Sequence, residues 1–366
     1  MKKLFLIFLL MFSFKISYSA ISTDDMYVVL SNIYSNSKYY DEEVIILEKA
    51  IAINPANVNA YIKLVHAYIN LKKHKKVVEN IKKIIKLILV DEGVYNILGN
   101  SYVKLKQYQD AVNAYKKSIE LNPKVYETYF NMGIAYYYLD KPQEEIKAYK
   151  KALEISQSNY KLYNNIAYAF NRTKQYKQEI KAYEKSLALN PENYSIYSNI
   201  GVAYANLGEY KKAVEALKKV INKHPKNSST HYNIGVIYTK LNNYKEAAGF
   251  YKKAIKYNPK QESSYINLFE LNLINKEKFD DKLVDKFNKL YSNDKKIYMI
   301  FDMLKIFNNI VFNKEEMNLY EKLKEFSKNY NDYKFEYWDW KQIEKWVDSN
   351  SNNEELQYSL KFFKKF

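Results

Sequence analysis

YSIYSNIGVAYANLGEYKKAVEALKKVINKHPKN (194–227) runs directly into SSTHYNIGVIYTKLNNYKEAAGFYKKAIKYNPKQ (228–261). The two segments are equally long and agree at Asn-Ile-Gly, at Tyr-Lys and at the closing proline. Self-similarity at a fixed 34-residue period is the mark of a stacked repeat. The phase extends outward from this pair. Gly99, Gly133, Gly201 and Gly235 share it, with Ala167 in the gap, and so do Pro55, Pro123, Pro191, Pro225 and Pro259.

In this frame the chain holds seven repeats, at 24–57, 58–91, 92–125, 126–159, 160–193, 194–227 and 228–261. An eighth begins at Glu262 and loses the pattern after its first helix. The fourth position holds Tyr27, Tyr61, Tyr95, Tyr129, Tyr163, Tyr197 and His231. The seventh holds Leu30, Leu64, Leu98, Met132, Ile166, Ile200 and Ile234, and the eleventh is always Tyr or Phe. Spacings of three and four residues put these side chains on one face of a helix, which must be buried. A second helix brings Ala111, Ala213 and Ala247 as small contacts and Leu47, Ile81, Tyr115, Tyr149, Tyr183, Leu217 and Tyr251 as large ones. Tyrosines at these places are expected to pack between helices. Scarce Gly and Pro disfavour an all-β fold with its many tight turns.

The pattern resembles the tetratricopeptide repeat (TPR) over 24–261. Val65 departs from it at the small eighth position, Gln157 and Leu89 at the closing proline, and Glu145 and Glu179 at the small residue of the second helix. The resemblance implies an all-α, right-handed superhelix of about seven to eight helix-turn-helix units, because one unit cannot bury its apolar face alone. It also implies that first helices line a concave groove. Beyond 261, amphipathic stretches at 279–291, 295–312, 315–329, 340–349 and 353–364 read as a degenerate repeat and a helical cap. Phe335, Tyr337, Trp338, Trp340 and Trp346 are expected to pack inside that cap.

Residues 1–20 read as a signal peptide: Lys2 and Lys3, an apolar run from Leu4 to Phe14, then Ser17, Ser19 and Ala20. The run is short for a membrane span. Cleavage after Ser19 or Ala20 is expected, giving a periplasmic or secreted protein, with an uncleaved N-terminal anchor as the alternative. The net charge of +17 invites a nucleic-acid partner. The cations are lysines except Arg172, whereas readers of bases and phosphates lean on arginine. Nucleic acid is therefore set aside. The abundance of Asn, Ile, Tyr and Lys matches an A+T-rich genome, and a bacterial source is expected. With no cysteine there are no disulfides and no zinc-thiolate site.

No catalytic constellation emerges: His66, His74, His224 and His231 fall in different repeats, and phosphate loops and hydrolase or metalloprotease motifs are missing. No cofactor or metal is expected. Lys116-Lys117, Lys150-Lys151, Lys218-Lys219 and Lys252-Lys253 recur at one phase of the second helix and read as a basic solvated face. The sixth position is Asn131, Asn165, Asn199, Asn233 and Asn267 in five successive units. An amide side chain both donates and accepts, so a row of them can hold peptide backbone without reading its sequence. The row resembles the asparagine ladder in the TPR region of O-GlcNAc transferases. Neighbouring groove candidates are Tyr137, Asn164, Tyr168, Arg172, Tyr232 and Lys240. The expected function is a non-enzymatic adaptor at the cell envelope that binds an extended peptide or partner helix. The alternative is an envelope carbohydrate- or polymer-binding module that uses Lys-rich and Trp-rich surfaces. Partner identity and oligomeric state stay open.

Overall fold

The structure, a computed structural model, describes residues 22–312, 318–330, 332–335 and 340–365. The expected leader and its cleavage site, and Tyr337 and Trp338, lie outside the described residues. Among the described residues there are twenty helices and no strand, and no helix is long and apolar enough to cross a membrane. The chain is all-α, built from tandem helix-turn-helix repeats, and forms two compact units, 1–190 and 191–366.

The first unit holds five helix pairs: Thr23–Asn36 with Tyr40–Ile53, Val58–Asn70 with His74–Leu87, Glu92–Lys104 with Tyr108–Leu121, Tyr126–Tyr138 with Pro142–Ile155, and Tyr160–Arg172 with Tyr176–Leu189. The second opens with two more, Ser195–Asn206 with Tyr210–Lys223 and Ser228–Lys240 with Tyr244–Tyr257. Most repeats close on a side chain that caps the next helix. Asn57, Asp91, Asn159 and Asn227 each accept a backbone N–H of the first turn that the helix itself leaves unpaired.

The sequence pattern translates into contacts. A Cβ built on Gly99 would lie 2.4 Å from the ring of Tyr115, one on Gly133 2.4 Å from Tyr149, and one on Gly235 2.7 Å from Tyr251. The glycine is thus the floor on which the large residue sixteen positions later lies flat. That large residue is buried in every complete repeat, from Leu47 to Tyr251. Between the two helices the backbone turns through left-handed φ at Lys38, Lys72, Lys106, Asp140, Lys174, Gly208, Asn242 and Lys276. These eight residues are spaced by 34, so the period persists in the backbone into the eighth unit, beyond the point where the sequence pattern fades.

At the eighth unit the packing changes. Helix Glu262–Ile274 forms and Lys276 turns as before, but the next helix, Asp281–Tyr291, is short and starts late. Phe269 stands where the glycine would be, fully buried, with its ring 4.8 Å from that of Phe279 and 5.0 Å from that of Phe301. Helices Lys295–Phe312, Leu319–Tyr330, Lys341–Asp348 and Glu354–Phe363 complete a core containing Phe287, Phe301, Phe307, Phe326 and Phe363. Phe335 and Trp346 are buried in it and Trp340 packs against it.

Candidate functional site

The asparagines at the sixth position are placed by the buried tyrosines of the preceding repeats. A buried phenol needs a hydrogen-bond partner; the next first helix supplies it to Tyr149 and Tyr251, and the repeat's own first helix supplies it to Tyr115. Asn267 donates to the hydroxyl of Tyr251 at 3.1 Å and reaches that of Tyr232 at 3.5 Å. Asn165 meets the hydroxyl of Tyr149. Tyr115 donates to Asn100 at 2.7 Å, and the same Asn100 oxygen accepts from Asn131 at 3.0 Å. Burial raises the pKa of all three phenols; that of Tyr251 is pushed up to about 12. The residue ahead of Asn233 in this scheme is Leu217, which has no hydroxyl, and among the described residues the Asn233 side chain makes no hydrogen bond. Asn199 is exposed on helix Ser195–Asn206. Asn131, Asn165 and Asn267 thus each join their repeat to the preceding one through an amide hydrogen.

A group of exposed aromatic side chains lies beside Asn165. A cavity of about 220 Å³ is lined by Tyr137, Tyr138, Tyr149 and Tyr168, with Ile134, Asn165 and Glu145. Tyr137, Tyr138 and Tyr168 are exposed. Their rings touch in sequence: Tyr138 stacks on Tyr108 at 4.6 Å and meets Tyr137 at 5.1 Å, and Tyr137 lies 6.0 Å from Tyr168. Arg172, the last residue of helix Tyr160–Arg172, crosses back to the preceding repeat. It donates to Glu145 at 2.6 Å and to Asp140, and its guanidinium lies 4.9 Å from the centre of the Tyr137 ring.

Glu145 is 2% exposed although it replaces the small residue of its repeat. Burial pushes its carboxyl up and Arg172 pulls it down. Glu179, at the same place one repeat on, is equally buried. It accepts from the Asn171 amide at both oxygens, 3.1 and 3.2 Å, and burial carries its carboxyl up to about 7. Both depart from the small residue that the repeat pattern has there, and Glu43 is a third buried glutamate at that position, not singled out by the pattern. The available signal was a charged residue where a methyl is expected, with Asn171 or Arg172 in reach. Of the other candidates, Tyr232 is half-buried against Tyr251, Asn164 has a buried oxygen without a partner, and Lys240 is exposed. The paired lysines are exposed on second helices. Lys117 and Lys151 there pair with Glu120 and Glu154.

Models of the tetratricopeptide repeat match residues 126–159, 160–193, 194–227 and 228–261, and a TPR repeat model matches 99–140. The chain is a tetratricopeptide-repeat protein. A model of the anaphase-promoting complex, cyclosome, subunit 3, also matches residues 36–118. Among solved structures, the C-terminal part of a TPR repeat-containing protein from Cytophaga hutchinsonii is similar, at 17% identity and a TM-score of 0.58. That match covers 65% of this chain and 97% of that one, and it shows a shared fold. A crystal structure of MamA is 26% identical, with a TM-score of 0.44 over 47% of this chain and 94% of that one. YrrB, described as a TPR protein with an unusual peptide-binding site, is 16% identical, with a TM-score of 0.43 over 46% and 88%. No curated protein matches the chain. None of the matched families is an enzyme family. Tandem TPR repeats mediate protein–protein contacts, and this TPR protein is an interaction scaffold.

Proposed function

We propose that this TPR protein is a non-enzymatic adaptor that holds an extended polypeptide against its first helices, with the tyrosine-lined recess beside Asn165 as the anchor point. The observation that carries this reading is the contiguous set of exposed rings at Tyr138, Tyr137 and Tyr168 next to a cavity with an amide and a carboxylate in its wall. Exposed aromatic rings around a concavity with a few polar groups are what peptide anchors need: apolar area at low entropic cost, and hydrogen bonding that fixes the backbone. Asn131 and Asn165, on the first helices of the same unit, would supply backbone contacts. We also propose that the chain is exported by its N-terminal segment and works at the envelope of a bacterium; an N-terminus near Ala20 or Ile21 by mass spectrometry of the native protein tests that part.

The binding test uses whatever polypeptide co-purifies with the mature protein, titrated against Tyr137→Ala/Tyr168→Ala at low and high salt. Removing two anchor rings should weaken binding by at least ten-fold, since aromatic anchors commonly cost over 1 kcal/mol each on truncation. Unchanged affinity of the folded double variant would move the site off the recess. Affinity that collapses as salt rises would instead place the partner on the exposed lysines of the second helices.

A further inference from the structure

Resting on the adaptor reading, we infer that the recess selects a lysine side chain of the bound segment, with the Glu145 carboxylate as its counter-charge and the faces of Tyr137, Tyr138 and Tyr168 as its walls. The charge inventory gives the sign. Glu145 lines the cavity, the exposed Asp140 lies across Arg172 from it, and Arg172 is paired with both. An entering carboxylate or phosphate would meet two like charges. An entering cation would make up the missing positive charge. Glu145 sits where the aromatic faces are.

The walls favour the same ligand. A cation over a tyrosine face is attracted by the ring quadrupole, and the structure already contains that arrangement in Arg172 over Tyr137. Tyr168 and Tyr138 offer further exposed rings beside the cavity. Burial opposes ionisation of Glu145, so a second cation against it stabilises its charged form. Geometry separates lysine from arginine. A guanidinium binds a carboxylate best with two parallel hydrogen bonds, one to each oxygen. One oxygen of Glu145 is already held by Arg172. An ammonium is a point charge that needs a single acceptor.

The experiment measures binding of the full mature chain to fluorescein-labelled, unstructured eleven-residue peptides that differ only at the central residue: lysine, norleucine, arginine or glutamate. The lysine peptide should bind roughly five- to thirty-fold more tightly than the norleucine peptide, the range expected of a partly desolvated cation–ring contact. Arginine should fall between them, and glutamate should bind weakest. Glu145→Gln should erase the difference between the lysine and norleucine peptides, and Tyr168→Ala, a change at an exposed ring, should reduce it. Equal affinity for lysine and norleucine peptides would overturn the lysine assignment while leaving the adaptor reading intact. Binding of none of the peptides, together with full affinity of Tyr137→Ala/Tyr168→Ala for the co-purified partner, would overturn both.

Discussion

The repeat at 126–159 and the unit that begins at Glu262 start from the same first helix and the same left-handed turn, yet end differently. In the first, Gly133 lets Tyr149 lie across the helix and the second helix follows in register. In the other, Phe269 fills that floor itself. A second helix can then no longer settle against the first, so it starts late, at Asp281, and the chain gathers rings into a cap. The eighth position thus holds a floor for a ring in one unit and a ring of the cap in the other. A capping unit must cover the last apolar face with something other than another repeat.

The largest effect is expected at the terminating residue. Phe269→Ala would leave a cavity among Phe279, Phe287 and Phe301 and cost about 3–5 kcal/mol; hydrogen exchange should show loss of protection over 262–363 and little change at 24–125. The converse change, Gly133→Leu, should overpack Tyr149 and cost about 1–3 kcal/mol, with protection falling over 126–159. Adding Tyr149→Ala should recover part of that loss, and a strictly additive double variant would contradict the floor-and-ring pairing.

A smaller effect distinguishes the repeats that keep alanine at the first buried position of the second helix from those that bury glutamate there. The Glu179 carboxyl is carried to about 7 from its ordinary 4.5. The folded chain therefore holds a proton that the unfolded chain releases across that window. Its contribution to stability falls as pH rises from about 4.5 to about 7 and stays flat above. Glu179→Gln should raise the melting temperature at pH 8 and flatten this part of the pH profile, checked by thermal melts of both proteins from pH 5 to 8. The smallest effect is at the turn. Gly208 holds φ +78 without strain, whereas Lys106 holds φ 60 with a side chain. Lys106→Gly should stabilise by about 0.5 kcal/mol, relief of the left-handed strain exceeding the added freedom of the unfolded chain, and Gly208→Ala should destabilise by about 1 kcal/mol; denaturant melts measure both.

Much of this was legible in the residues because burial follows a period. Gly99, Gly133 and Gly235 lie under Tyr115, Tyr149 and Tyr251, and the helices after Glu262 lie on the amphipathic stretches, with Leu319–Tyr330 running one residue past 315–329. What periodicity does not encode is side-chain reach. Arg172 and Glu145 are 27 residues apart in different repeats, and only the stacked backbone brings them together. The sixth-position asparagines stood out as a row, but their pairing with tyrosine hydroxyls depends on which repeats carry tyrosine rather than leucine at the buried place. The cap was readable as helices and not as a packing scheme, because its rings meet without a repeat to align them.

The amide-to-phenol joints have a consequence for editing the chain. Excision of residues 126–159 would bring Asn165 to the position of Asn131, opposite Tyr115 and Asn100, so the cut ends would carry matching connectors. Removal of one residue more or fewer would rotate every later side chain by about 100° around its helix and leave a buried hydroxyl facing the wrong neighbour. The molecule is in this sense a set of interchangeable parts with a single permitted length, and its size can change by whole modules while each surviving joint stays the same.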